Sequence, residues 1–124
     1  MTKTTNAFGE LGERIAERWL TRQGYTVLAR RWRSGHRDID LIASHGDVIA
    51  FVEVKTRAAM EFGDPVEAVH ARKQRSLIRC AREWLAKNDG SAAAAATVYR
   101  FDVVGVLLRD RRVFVRHVEG AFSL

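Results

Sequence analysis

Residues 37–57 read RDIDLIASHGDVIAFVEVKTR, and this stretch decides the fold. Two runs rich in Ile, Val, Leu and Phe flank His45-Gly46, the pattern of a β-hairpin. Yet Asp38, Asp40 and Glu53 stand on that apolar backbone, with Lys55 close behind. A carboxylate is costly to bury without something positive beside it. These acids therefore call for a basic side chain, a proton or a metal ion.

Side chains alternate faces along a strand. Asp47, Ile49, Phe51, Glu53 and Lys55 then share one face, and Asp38, Asp40 and Ile42 share a face of the preceding strand, opposite Ile39, Leu41 and Ala43. With His45-Gly46 as a two-residue loop, Ser44 pairs with Asp47, Asp40 with Phe51 and Asp38 with Glu53. The acids and Lys55 would cluster at the strand ends farthest from the turn. Like charges directly opposite each other destabilise a hairpin, so the cluster needs compensation.

Two remedies fit. In the structural one, Lys55, Arg57 or an arginine from a helix pairs with the acids. In the chemical one, Lys55 holds or activates a water, and the main-chain carbonyl of Val54 adds a third oxygen to Asp40 and Glu53. Hard oxygen ligands with open positions suit Mg²⁺ or Mn²⁺.

Working outward, the spacing of Phe8, Leu11, Ile15, Ala16, Trp19 and Leu20 predicts a helix capped by Thr5 or Asn6 and stopped by Gly24, after an unstructured tail over residues 1–5. Gly9 and Gly12 inside it point to close approach of another chain segment or a ligand, and Glu13 falls at the edge of its apolar stripe. Residues 25–33 read as a strand before the hairpin. Asp64-Pro65 opens a second helical region, with Val69, Leu77, Ile78, Ala81, Trp84 and Leu85 as its stripe and Asp89-Gly90 at its end. Strands over 98–108 and 112–118 close the chain around Arg109-Asp110-Arg111. The fold class is α/β in the order α-β-β-β-α-β-β, as a single domain over residues 1–124.

The net charge of +6 points to a polyanionic partner, nucleic acid before a membrane surface. Between His70 and Asn88 stand six Lys or Arg side chains against one acid, Glu83. Arg72, Arg75, Arg79 and Arg82 lie away from the apolar stripe, as a phosphate-binding face or a merely solvated one. Lys73 and Gln74 project toward the buried side and could reach the acids. Arg30, Arg31, Arg33 and Arg37 surround Trp32, which either stacks on a base or packs on the sheet.

Cys80 falls in the helical stripe as a small buried hydrophobe, and one cysteine excludes an internal disulfide. The four histidines share no ligand spacing, and no Gly-rich phosphate loop or nucleophilic serine elbow occurs. With no run long enough to span a bilayer, the expectation is a cytoplasmic protein with no membrane partner.

The acids and lysine match the PD-(D/E)XK nuclease signature, with Asp40 in DID and Glu53 and Lys55 in EVK. In order, GELGERIAERWL, DIDLIA, FVEVKTR, FGDPVEAV, KQRSLIRCA and RFDVV resemble the bacterial YraN family, itself similar to archaeal Holliday-junction resolvases. The resemblance covers roughly residues 8–104. It implies a restriction-endonuclease-like fold, a central mixed sheet flanked by helices. It also implies a Mg²⁺- or Mn²⁺-dependent endonuclease, with Asp40, Glu53 and the Val54 carbonyl as metal ligands and Lys55 assisting the attacking water. Glu13 matches an acid used near the metal, and Asp38 is a secondary acid. Arg31, Arg33, Arg37, Arg72, Lys73, Gln74, Arg75 and Arg79 would contact nucleic acid, DNA first, and a homodimer would act on two-fold symmetric junctions. Arg37-Asp38 replaces the family's usual Gly-Glu, and Arg31 its usual Asn. These departures keep two other readings open: a binding module of the same fold without catalysis, and a protein-interaction domain with a basic helix.

Overall fold

The computed structural model describes residues 2–58, 69–88, 96 and 98–123, with side chains from residue 7 onward. The elements run α1 (Thr2–Arg22), β1 (Thr26–Ser34), β2 (Arg37–His45), β3 (Val48–Arg57), α2 (Ala71–Lys87), β4 (Val98–Arg109) and β5 (Arg112–Phe122). This is the predicted order. The five strands form one mixed sheet in sequential order, antiparallel except for the parallel pair β3–β4. Parallel neighbours need a crossover, and α2 lies within it.

Helix α1 starts at Thr2, so Thr5 and Asn6 lie within it and residues 2–5 are helical rather than an unstructured tail. No Gly or Pro interrupts residues 2–8, and extending a formed helix costs little. Its end follows the sequence: Gly24 takes φ 97°, Tyr25 N donates to Leu20 O and Gly24 N to Thr21 O. That pair of bonds closes a Schellman cap, which needs a residue in the left-handed region. The Asp64-Pro65 start and the Asp89-Gly90 stop lie outside the described residues. The described part of α2 opens at Ala71, with His70 at the cap accepting from Lys73 N.

The helices cover opposite faces of the sheet. On one, Ala16 and Leu20 of α1 pack with Leu41, Ala43, Ala50, Val52, Val104 and Val106. On the other, Leu77, Cys80, Ala81 and Trp84 of α2 pack with Ile39, Ile42, Ile49, Phe51, Phe101 and Val103. Each fully buried Leu, Ile, Val or Phe among them contributes about 1.5–3 kcal/mol. This explains why β3 reads as an almost unbroken apolar run: both its faces are covered. Gly12 lets α1 settle on β3, because a Cβ there would overlap the Thr56 side chain. Gly9 faces open space instead.

The hairpin register differs from the expected one by two residues. The loop is Gly46-Asp47, with His45 opposite Val48, Ser44 opposite Ile49 and Ile42 opposite Phe51. Gly46, at φ 59°, takes the first loop position, as a tight hairpin favours. An even shift preserves which face each residue occupies, so Asp40 moves level with Glu53 instead of Phe51. The β4–β5 turn is likewise two residues, Asp110 and Arg111, both at positive φ, and β5 continues to Phe122. No helix among the described residues is long and apolar enough to cross a membrane.

Candidate active site

Strand β2 does not alternate throughout. Ile39 packs on the α2 side with Ile42, whereas Leu41 and Ala43 pack on the α1 side. The expected common face of Ile39, Leu41 and Ala43 is thus broken, and the break falls at Asp40. Across the ladder, Arg30 pairs with Leu41 and Trp32 with Ile39, and between them Arg31 sits at φ 47°. A bulky residue there costs of order 1–3 kcal/mol, a conformation that the surrounding sheet must hold.

The β2–β3 register runs from His45↔Val48 to Leu41↔Val52. Beyond it, the side chain of Asp40 takes over from the backbone: Oδ2 accepts from Val54 N at 2.7 Å. Glu53 follows Ile49 and Phe51 on the α2 face and is only 4% exposed. Lys55 Nζ lies 3.2 Å from Glu53 Oε2, and Lys73 Nζ, from the first turn of α2, lies 3.7 Å from the same oxygen. Burial, followed by the Glu53 charge, pushes Asp40 up to about 8, against the hydrogen bond from Val54. Two carboxyl groups compete here for more positive charge than the backbone supplies.

The remaining expected site residues divide into three groups. Glu13, Asp38 and Asp40 line one cavity of about 450 Å³ with Gly9, Glu10, Arg31 and Arg33. Within it Glu13 Oε1 accepts from Arg31 Nε at 2.7 Å, and Glu10 lies 3.6 Å from the same guanidinium. Arg31 is therefore bound to protein acids, and Arg33 faces this acidic cavity; neither joins the basic helix. Gln74 turns away from the acids, donating from Nε2 to Val69 O at 2.9 Å and so bracing the turn before α2. Among the described residues, no group of three or more acidic, His or Cys side chains is arranged to hold a metal ion. Any ion at Asp40 and Glu53 would complete its shell with water, main-chain or substrate oxygens, which is how Mg²⁺ is commonly held.

Arg37, Arg72, Arg75 and Arg79 do come together. With Gly35, His36 and Ser76 they line a cleft of about 540 Å³ between the β1–β2 turn and the exposed face of α2. Trp32 packs against the α2 cluster with Lys87 5.7 Å above its ring, which is the sheet-packing alternative. Cys80 is buried, and its thiol is pushed up to about 11, chiefly by burial.

Sequence reasoning missed a second buried acid. Asp102, 0% exposed, is gripped by Arg100 through two bonds of 2.8 Å. It lies 2.7 Å from His117 Nε2 and accepts from Gly120 N at 3.0 Å. Arg100 also donates to the Tyr25 hydroxyl at 2.5 Å. Burial pushes Asp102 up, but the bonds from His117, Arg100 and Gly120 outweigh it and hold the carboxyl below its ordinary value. Arg100 and Asp102 at alternate positions of an apolar strand were a legible signal; His117 and Tyr25 reach them only through the fold.

Fold and site together define a small mixed-sheet α/β protein with a carboxylate–lysine centre where β2 and β3 stop pairing. The chain belongs to the uncharacterised protein family UPF0102, whose profile matches residues 12–106. It is 43% identical over 119 residues to a UPF0102 protein of Beutenbergia cavernae, covering 95% of this chain and 98% of that one. With a UPF0102 protein of Chloroherpeton thalassium the identity is 41% over 123 residues, covering 98% and 92%. With one of Bifidobacterium longum subsp. infantis it is 39% over 120 residues, covering 96% and 95%.

Proposed function

We propose that this protein is a metal-dependent nuclease that hydrolyses phosphodiester bonds of DNA, branched or otherwise structured forms included. The observation that carries this reading is the buried Glu53 carboxylate beside Asp40, with Lys55 Nζ at 3.2 Å. Asp40 and Glu53 are hard oxygen donors, and Asp40 has no ion-pair partner among the described residues, a donor set that fits Mg²⁺ or Mn²⁺. Such an ion lowers the pKa of a bound water and polarises the phosphoryl oxygens. Lys55 orients the attacking water or neutralises charge developing on the phosphate, and Lys73 adds a second ammonium on the same side. Asp38 and Glu13 act at longer range, from the neighbouring cavity.

A second reading rests on a specific observation. Lys55 and Lys73 already neutralise Glu53, and Arg31 neutralises Glu13. A protein that balances its acids internally has less need of a cation, which favours a nucleic-acid-binding module without catalysis. The deciding experiment incubates labelled linear, flapped and four-way DNAs with Mg²⁺ or Mn²⁺ and an EDTA control. Cutting that requires metal and disappears in Glu53→Ala and Lys55→Ala supports the nuclease. Binding without cutting, unchanged in both variants, selects the binding module.

A further inference from the structure

Several arginines of this chain are held by acids. Arg30 is paired with Glu17, Arg31 with Glu13 and Glu10, Arg100 with Asp102 and Glu119, and Arg109 with Asp110. Among the described residues, Arg37, Arg72, Arg75 and Arg79 enter no ion pair with an acid; other exposed arginines such as Arg14, Arg57 and Arg82 share that, but these four are gathered around one cleft. Four guanidinium groups around one recess repel one another, an arrangement that a polyanion relieves.

We propose that this cleft is a holding site for an unpaired nucleic-acid strand, separate from the carboxylate centre; it deepens the nucleic-acid reading above by naming the form of the partner. Arg72, Arg75 and Arg79 follow one another along about 10 Å of helix. That length spans roughly two to three phosphates of a strand at the duplex rise of about 3.4 Å, and fewer when the strand is stretched. A recess of about 540 Å³ walled by one helix and one tight turn admits one backbone, which an unpaired strand supplies with no second strand to accommodate. Its lining holds four arginines, Ser76, His36 and Gly35, with no Phe, Tyr or Trp to stack a base and no Asn or Gln to read one. Phosphate contacts by the guanidinium groups are thus the main recognition this lining offers.

Two residues of the same elements link the cleft to the acids along the chain. Lys73, next to Arg72 on the helix, reaches Glu53, and Arg37 precedes Asp40 by three residues of β2, about 10 Å. A strand lying in the cleft would pass the carboxylate centre within a few nucleotides. The partner is then a nucleic acid with an unpaired stretch, such as an overhang, a flap or an opened branch.

The test measures anisotropy of a labelled oligothymidylate, a blunt duplex and an overhang duplex in EDTA over a range of salt, for wild type and for Arg75→Ala/Arg79→Ala. The expected result is at least about 10-fold tighter binding of the single strand and the overhang than of the blunt duplex. The double variant should lose most of that preference, with its single-strand salt slope shallower by about 1.4, at about 0.7 per lost phosphate contact. Both side chains are exposed, and circular dichroism checks that the variant is folded. Equal affinity for blunt duplex and single strand overturns the proposal, as does an unchanged single-strand slope in the variant. Polyglutamate binding as tightly as oligothymidylate also overturns it, assigning the cleft to an acidic protein. Because the assay contains no metal, strand binding can fail while cutting persists, or persist while cutting fails. The two readings therefore fall separately.

Discussion

The same sheet buries two carboxylate centres and treats them in opposite ways. Asp102 on β4 is enclosed and matched: a bidentate guanidinium, an imidazole and a main-chain N–H converge on it, and its carboxyl is held low. Asp40 on β2 has one main-chain donor and a second carboxyl beside it, and is pushed up to about 8. A carboxylate satisfied by its own protein fastens strands together, here β4 to β5 through His117 and Gly120. One left in competition with a neighbour favours a proton or a cation. The difference separates a structural site from a candidate chemical one, although both are acids on apolar strands.

The comparison is broken most directly at Asp102. Asp102→Ala would strand the Arg100 guanidinium without its buried partner, and unfolding by urea should show a loss of about 3–5 kcal/mol. A loss under about 1 kcal/mol would mean that Asp102 is not the structural anchor. Next comes Lys55→Ala, expected to lower metal-dependent turnover about 100-fold while shifting the unfolding midpoint little. The opposite pattern, a loss of stability with any turnover intact, would move Lys55 to the structural side.

Asp40→Asn removes one of two competing carboxylates and keeps the shape. Its stability in EDTA at pH 8 should equal or exceed wild type by up to about 1 kcal/mol, while activity is lost. A large destabilisation would show that Asp40 is as well satisfied as Asp102. The last test is pH dependence. Asp40 binds its proton more tightly in the folded protein than in the unfolded chain. Its contribution is therefore fully present below about pH 4 and is lost as pH rises through about 8. Asp102 acts in reverse, contributing above the ordinary carboxylate range and losing that contribution in acid. In metal-free urea titrations, Asp40→Asn should flatten the decline between pH 4 and 8 without altering the acid limb. An unchanged slope would remove Asp40 as its source.

Much of this was legible beforehand because the relevant signals are local. The period-2 runs on either side of Gly46 specify strands, the 3.6-residue stripes specify helices, and Gly24 marks the end of α1 at the one position that requires a left-handed residue. The pairing of Lys55 with Glu53 was readable from the two-residue spacing alone. Other features were hidden because they depend on partners distant in the chain. The level of Asp40 with Glu53 depends on the cross-strand register, which the alternation of each strand does not set. The ion pairs of Arg31 with Glu10 and Glu13 exist only because α1 is brought against β1.

By itself, the sequence determined the order of elements and which acids and lysines share a strand pair. These follow from alternation and helical periodicity, properties of neighbouring residues. Only the tertiary structure decided which charges are neutralised and which are not. A charge is settled by what stands within a few ångströms, and for Asp102, Arg31 and the four cleft arginines those neighbours come from other elements.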